Sequence, residues 1–140
     1  MKKALKKQAA FVMLSAAVAV QTGFPGYAAT SVTGSWANED GGWKFYNSDH
    51  QAYTGWVKTE NGWYYLNPAD GKMVTGWQKI DGNWYYFKNM SLVKNAFVKK
   101  GKKYGYVDAT GKFTTGWVVV DNSQNLVRYI NPDKKGFVQN

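Results

Sequence analysis

The sequence contains no cysteine and a single histidine among its 140 residues. The absence of cysteine excludes disulfide bonds and thiolate metal sites, which many small scaffolds use for stability. His50 is the only imidazole, and no group of histidines or carboxylates has the spacing of metal ligands. Four of the nine carboxylates stand directly beside glycine or proline, where turns favour them. No two of them occupy strand positions that would aim both at one substrate, as glycoside cleavage requires. We therefore expect neither a cofactor nor an enzyme.

Long apolar runs are also missing, except near the N-terminus. Residues 9–20 form a twelve-residue stretch that is apolar except at Ser15, which is shorter than the roughly 20 residues that a membrane-spanning helix needs. Lysines precede this run and a helix-breaking segment that ends in small residues follows it, a pattern typical of a secretory signal peptide. It predicts cleavage after Ala28, a short lead-in at residues 29–33 and no stable membrane insertion afterwards. Without residues 1–28 the net charge is +5, from 14 basic and 9 acidic residues, which attracts polyanions but does not by itself indicate nucleic-acid binding.

Aromatic residues, by contrast, make up 17% of the sequence, with 7 tryptophans and 10 tyrosines. One aromatic position recurs at intervals of 20, 21, 20, 20 and 20 residues: Trp36, Trp56, Trp77, Phe97, Trp117 and Phe137. A second cluster, such as Trp63-Tyr64-Tyr65, begins seven residues after this position in the first four units and three residues later than that in the fifth. A fixed period of this kind is the signature of a repeat architecture.

Each unit places short aromatic and β-branched runs on either side of a turn signal, which is typical of a β-hairpin. A two-stranded hairpin alone is marginal in water, but stacked hairpins bury their rings against one another. The sequence therefore predicts an all-β solenoid of about five stacked hairpins over residues 34–140, after the cleaved signal helix. Asn61-Gly62 lies one position later in its unit than Asp81-Gly82. Because the constant spacing of the tryptophans requires one strand register, we expect at least one turn to be longer than two residues.

The central units resemble a known family. The residues that carry the resemblance are Gly55-Trp56, Trp63-Tyr64-Tyr65-Leu66, Asp70-Gly71-Lys72-Met73 and Thr75-Gly76-Trp77. They are similar to the cell-wall-binding repeats of choline-binding proteins, and also to the glucan-binding repeats of streptococcal glucosyltransferases and to clostridial toxin repeats. The resemblance covers about residues 34–140 and implies a hairpin solenoid with ligand sites between consecutive hairpins. It also implies a secreted or cell-surface location in a Gram-positive-type bacterium.

In choline-binding members of the family, a site combines the Gly-Trp ring, an aromatic of the following strand, an aromatic of the next hairpin and often a linker methionine. Carried onto this sequence, the resemblance implies one best site in the second and third units: Trp56, Tyr64, Tyr85 and Met73. Trp63 or Trp84 replaces one of these rings if the strand register differs. The groove between the second and third hairpins is thus the predicted working site.

The other units depart from the family pattern. A second candidate site begins at Trp77 and Tyr85, but Gly105 stands where its next ring is expected. The site at Trp36 has Lys44 in place of a ring, and that cation would repel a choline group. We therefore expect one or two sites in total.

The chemistry of such sites favours a cation without hydrogen-bond donors. Aromatic rings around one cavity attract a quaternary ammonium by about 0.5–2 kcal/mol per contact, and a methionine thioether adapts to the remaining gaps. The predicted function is non-catalytic binding of choline-bearing teichoic acid or a related envelope polymer, where several weak sites act on one repeating chain. Two alternatives stay open. The rings would also stack on the sugars of a glucan, with amides such as that of Asn61 on the hydroxyls, or the stack is a structural repeat whose surface binds another protein.

The strongest charge feature is the lysine-rich segment at residues 99–103. It falls on a predicted hairpin turn, so we interpret it as a solvated tip; of its functional interpretations, attraction to envelope phosphates is favoured over a nucleic-acid site. Residues 29–33 are all that precede the repeats in this sequence, so we expect a free-standing binder, a regulator or the remnant of a longer enzyme. A dimer through the unfinished unit at Gly136-Phe137 is also left open.

Overall fold

The computed structural model describes Pro25 and residues 29–121, 123–124 and 126–133. The predicted signal helix and the unfinished unit at Phe137 therefore lie outside the described residues, apart from Pro25. Within the described part of the chain the regular elements are β-strands. No helix in these residues is long and apolar enough to cross a membrane.

The strands follow one another as an array of hairpins. In chain order they are β1 Ser35–Glu39, β2 Gly42–Tyr46, β3 Gly55–Thr59, β4 Gly62–Leu66, β5 Gly76–Ile80, β6 Asn83–Lys88, β7 Ser91–Leu92, β8 Ala96–Lys100, β9 Lys103–Val107, β10 Phe113–Thr114, β11 Gly116–Asp121 and β12 Leu126–Ile130. Five antiparallel hairpins result: β1–β2, β3–β4, β5–β6, β8–β9 and β11–β12. The short strands β7 and β10 add a third strand to the third and fourth hairpins. The predicted all-β array of hairpins is confirmed.

All five hairpins share one register at their first aromatic ring. That ring lies opposite an aromatic residue of the second strand in each: Trp36 and Phe45, Trp56 and Tyr65, Trp77 and Tyr86, Phe97 and Tyr106, Trp117 and Tyr129. The partner follows nine residues later in the first four hairpins and twelve later in the fifth. A bulge between Val119 and Asp121 and a longer connection accommodate the three extra residues of the fifth hairpin.

The first four hairpins close through two-residue turns, so neither of the two compared hairpins has the longer turn; the connection longer than two residues is in the fifth hairpin, where Asp121 pairs with Leu126. Asp81 and Gly82 both have positive φ angles, 47° and 79°, as in a type I′ turn. In the second hairpin Thr59 lies opposite Gly62, so Glu60-Asn61 forms the turn and Gly62 already belongs to β4. The turn signal is displaced by one residue, but the strand register is not.

The linker after each hairpin returns beside the second strand. One linker residue pairs there in each of the first four units: Ala52 with Tyr46, Met73 with Leu66, Leu92 with Phe87 and Phe113 with Val107. Side-chain oxygens of Asn67 and Asp108 tighten two of these linkers by accepting backbone N–H groups two residues ahead. Because β7 contacts β4 and β10 contacts β6, the linkers after the third and fourth hairpins each also reach the preceding hairpin.

The core is a row of clusters between hairpins rather than one central core. Rings and aliphatic side chains of the first two hairpins form one cluster: Phe45, Tyr53, Val57, Tyr64 and Leu66. The second and third hairpins form another: Trp56, Trp63, Ile80, Tyr85, Phe87 and Leu92. Tyr106, Val118 and Ile130 join the fourth and fifth. This arrangement fits a solenoid, in which each repeat packs on its neighbours.

The lead-in at residues 29–33 forms no strand but contacts the second hairpin. The Val32 N–H donates to the Lys58 carbonyl at 2.8 Å, and the Lys58 ammonium donates to the Ala29 carbonyl at 3.0 Å. Ala29 and Val32 also pack against the clusters on the two faces of that hairpin. The lead-in is therefore part of the packed repeat array.

Candidate ligand grooves between hairpins

A groove lies between each pair of consecutive hairpins, and equivalent positions of the repeat line each groove. Groove 1 lies between the first and second hairpins, groove 2 between the second and third, and groove 3 between the third and fourth. Successive side chains of a strand point to opposite faces, so one hairpin contributes to two grooves. In the second hairpin, Trp56 lies opposite Tyr65 and faces groove 2, whereas Tyr64 faces groove 1.

Groove 1 centres on the half-buried ring of Trp36. The centroid of this ring lies 4.8 Å from that of Phe45 and 4.9 Å from that of Tyr64, with interplanar angles of 44° and 60°. Met73, from the linker after the second hairpin, packs against the same cluster. Tilted and edge-on contacts of this kind are the arrangements that aromatic pairs prefer, and Trp36 stays partly exposed within them.

A cavity of about 330 Å³ opens at the edge of groove 1. Two rings and a set of polar and small residues line it: Ser31, Val32, Thr33, Gly34, Trp36, Phe45, Thr59, Glu60 and Asn61. The cavity is of the size that small ligands occupy in proteins. The lead-in and the turn of the second hairpin therefore complete this groove.

Groove 2 holds the most buried ring cluster. Trp56 is 6% exposed, and its centroid lies 4.8 Å from Tyr85, 5.2 Å from Tyr65 and 6.2 Å from Trp63. Leu92 closes the cluster from the next linker. Burial, with the charges of Asp108 and Asp81, raises the pKa of Tyr85 above its usual value near 10, so this ring carries a neutral hydroxyl at neutral pH.

Groove 3 has a third ring, although Gly105 stands where the sequence pattern would place it. Trp77 lies 4.9 Å from Tyr86 and 5.2 Å from Phe113, centroid to centroid. A Cβ atom at Gly105 would collide with the Phe113 ring, which fills the space that a side chain at this position would need. The prediction that this site lacks its next-hairpin ring is therefore wrong, because a linker phenylalanine supplies it. The rings of Trp77, Tyr86 and Phe113 are all half-buried.

The predicted quartet of ligand residues is divided between two grooves. Trp56 and Tyr85 meet in groove 2, but Tyr64 and Met73 lie in groove 1 with Trp36. The physical reason is the strand alternation, which turns Tyr64 away from Trp56, and the linker path, which carries Met73 back to the preceding hairpin. Trp63 shares groove 2 with Trp56, and Trp84 lies on the face of the third hairpin that carries Trp77. The structure thus brings the predicted residues together in pairs rather than as one site.

The objection to a site at Trp36 is also wrong. Lys44 lies opposite Ala37 on the other face of the first hairpin, so its ammonium does not enter groove 1. It pairs instead with Glu39 at 3.4 Å. The Tyr46 hydroxyl donates to the same carboxylate at 2.7 Å, which lowers the pKa of Glu39. Burial and this hydrogen bond raise the pKa of Tyr46 to about 12.

The sequence reasoning missed five groove residues: Phe45, Tyr65, Tyr86, Leu92 and Phe113. The signal for the first three is the nine-residue spacing from the first ring to its partner, which a two-residue turn implies. The signal for Leu92 and Phe113 is Met73, because all three hold the equivalent linker position in their units.

Polar groups in the described residues serve mostly the turns and linkers. The side chains of Gln78 and Asn83 donate to nearby backbone carbonyls, and Asn61 lines the cavity of groove 1. No group of three or more His, Asp or Glu side chains in the described ranges could hold a metal ion. The grooves offer ring faces and single polar groups, an arrangement that suits the binding of a ligand.

Fold and grooves together define a hairpin-repeat binding module. Residues 32–76 match the family model of the choline-binding repeat, and residues 75–89 match the putative cell wall binding repeat. The choline-binding domain of Spr1274 from Streptococcus pneumoniae is 34% identical over 61% of this chain and 99% of that domain, with a TM-score of 0.50. This chain belongs to the family of choline-binding cell-wall repeat proteins, whose repeats are binding modules.

Two longer structures extend the comparison. CbpJ from S. pneumoniae is 28% identical, with a TM-score of 0.58 over 70% of this chain and 33% of its own. Choline-binding protein F from S. pneumoniae, solved with a peptidoglycan analogue, is 27% identical, with a TM-score of 0.56 over 79% of this chain and 36% of its own. The chain thus spans about a third of the length of these proteins. No curated protein matches it.

Proposed function

We propose that this chain is a non-catalytic, secreted module that holds to the surface polymer of a Gram-positive-type bacterium by binding its choline groups. The observation that carries the proposal is the recurrence of one ring arrangement in three grooves. In each, a first-strand tryptophan meets its cross-strand aromatic and one further ring from the next hairpin or its linker. Structural packing alone does not require tryptophan at this position, since Phe97 holds it in the fourth hairpin.

Choline suits these grooves because its ammonium carries no hydrogen-bond donor. Ring faces stabilise such a cation electrostatically, and few other protein groups do so without competing water. The choline-bearing chain of a teichoic acid repeats, so weak binding in several grooves would add up to firm attachment. The peptidoglycan analogue present with choline-binding protein F supports a wall polymer as the partner class.

Groove 1 is the strongest candidate among the three. Trp36 and Met73 are half-buried there, and the adjoining cavity of about 330 Å³ has room for a choline group. Glu60 is among the residues that line this cavity, and its negative charge would complement a cation. The residues singled out from the sequence remain ligand candidates but belong to different grooves: Tyr64 and Met73 to groove 1, Trp56, Trp63 and Tyr85 to groove 2, Trp77 and Trp84 to groove 3.

Titration with choline chloride tests the proposal, followed by tryptophan fluorescence and by calorimetry. The groove 1 variant is Trp36→Ala, and the matched control is Trp117→Ala, whose ring is 66% exposed and lies in the fifth hairpin. We expect Trp36→Ala to lose the groove 1 response and Trp117→Ala to keep it. Ethanolamine, which lacks the methyl groups and is more strongly hydrated, should bind at least about tenfold more weakly. Equal responses to choline and to sodium chloride, or unchanged binding in Trp36→Ala, would contradict the proposal.

A glucan is the second candidate, because the lining of the cavity also suits sugars. Ser31, Thr33, Thr59 and Asn61, which carry hydroxyl or amide groups, line this cavity together with Trp36. A ring platform with a few polar groups is typical of sites that stack pyranoses and hydrogen-bond their hydroxyls. Saturable binding of dextran without a choline response would establish this alternative. A response to neither ligand would favour the remaining one, a structural repeat that binds another protein.

A further inference from the structure

Groove 3 already contains a cation that belongs to the chain. The Lys100 ammonium lies 3.7 Å from the centroid of the Trp84 ring and 6.0 Å from that of Trp77. Both distances are within the range of cation–π attraction. The interpretation of the lysine-rich tip as merely solvated is therefore wrong for Lys100, which is half-buried against the preceding hairpin.

The position of Lys100 in the repeat explains why it points into the groove. Lys100 ends β8, as Ile80 ends β5 and Thr59 ends β3. Thr59 lines the cavity of groove 1, and Ile80 is 6% exposed in the cluster of groove 2. The last residue of a first strand thus lies on the side of the preceding hairpin's rings in each of the three grooves, and in groove 3 this residue carries a positive charge.

The rings are the partners of this charge. Within the described residues, no carboxylate is paired with Lys100, and its strand neighbour across the turn is Lys103. A primary ammonium that is paired with no carboxylate and lies over an indole face makes the type of cation–π contact that a choline ammonium would make. Groove 3 is therefore built to accept a cation, and its nearest cation is intramolecular.

We propose that Lys100 is the resident cation of groove 3 and determines its specificity, so that choline binds there only by displacing it. The proposal rests on the proposed function, since it assigns an occupancy to one of the same grooves. Displacing a contact of cation–π strength weakens choline binding in groove 3 by about 2- to 30-fold. Grooves 1 and 2 carry the uncharged residues Thr59 and Ile80 at the equivalent strand position. That position therefore supplies no competing cation in these two grooves.

Replacing the lysine by the residue of groove 1 tests the proposal. Lys100→Thr should tighten choline binding in groove 3 by about 2- to 30-fold, seen in calorimetry as an additional site that Trp77→Ala removes. The matched control is Lys103→Thr, which deletes the same charge from the same turn but from an exposed side chain. The control should bind as the unmodified chain does. Equal gains in the two variants would show a general charge effect and overturn the proposal.

A second measurement detects the resident cation without choline. The ε-methylene protons of Lys100 should be shifted upfield by the Trp84 ring in NMR spectra, and Trp84→Leu should abolish the shift. Added choline should move these signals towards their ordinary position. An ordinary shift without choline would overturn the proposal, as would choline binding by the full chain that Lys100→Thr leaves unchanged. If neither the full chain nor Lys100→Thr binds choline, the proposed function is overturned as well. If the full chain binds choline and Lys100→Thr binds it equally, only the role of Lys100 is overturned.

Discussion

The division of the predicted site between two grooves can be tested by double-mutant cycles in unfolding. Trp56 and Tyr85 face each other across groove 2 at 4.8 Å, whereas Trp56 and Tyr64 lie on opposite faces of one hairpin. Replacing each of the three by leucine, singly and in pairs, measures whether the two side chains of a pair contribute independently to stability. Leucine retains part of the buried volume. Alanine in place of a buried tryptophan would cost about 3–5 kcal/mol, a large share of the 5–15 kcal/mol that holds a typical domain together.

The expected coupling follows from the ring geometry. An edge-to-face pair at this distance is worth about 0.5–1.5 kcal/mol beyond its buried area, so Trp56→Leu with Tyr85→Leu should be non-additive by that amount. Trp56→Leu with Tyr64→Leu should be additive within about 0.5 kcal/mol, because the sheet separates the side chains. Urea unfolding followed by near-ultraviolet circular dichroism gives the free energies. Coupling above about 1 kcal/mol between Trp56 and Tyr64, with additivity between Trp56 and Tyr85, would refute the register and the division of the site.

Two further predictions concern Gly105 and Tyr46. Gly105→Ala should lower the free energy of unfolding by about 1–3 kcal/mol, since the new methyl group meets the Phe113 ring and the Thr114 carbonyl. Urea unfolding measures this loss, and adding Phe113→Ala should recover only part of it, because the Thr114 carbonyl remains. A Gly105→Ala variant as stable as the parent would contradict the packing of Phe113 against Gly105. The pKa of Tyr46 is about 12 in the fold against a usual value of 10, so its contribution to stability is complete below pH 10 and is lost as the pH rises through about 12. Tyr46→Phe should therefore reduce the fall in unfolding free energy above pH 10, and an unchanged pH dependence would mean that burial and the hydrogen bond to Glu39 do not raise the pKa of Tyr46 in the fold.

The repeat period alone was sufficient to predict the hairpin array. Rings at a spacing of about 20 residues cannot be buried within one short hairpin, so stacking of hairpins is the arrangement that removes them from water. The turn residues were a weaker guide, because Asn61-Gly62 carries the strongest short-range turn signal and yet Gly62 belongs to a strand. A turn signal shifted by one residue would move every ring to the other face, and burial of the rings on both faces holds the register in place.

The grouping of ligand residues needed the tertiary structure. Family spacing identified residue types, but the face that each ring takes depends on which residues lie opposite one another across the turn. The path of the linker also decides which residues share a groove, because it carries Met73, Leu92 and Phe113 back to the preceding hairpin. Phe113 shows this most clearly, because it fills the space beside Gly105 from eight positions further along the chain.

The sequence by itself determined that this protein is a β-hairpin repeat rich in exposed and half-exposed rings and free of cysteine, because period and composition are local properties of the chain. Which rings share a groove, that a linker ring stands in for an absent one and that Lys100 enters groove 3 were decided by the tertiary structure alone. The physical reason is that a groove is built by two hairpins at once. Its members are set by strand pairing and stacking between units, and the contacts between units join residues that lie 16 to 36 positions apart in the chain.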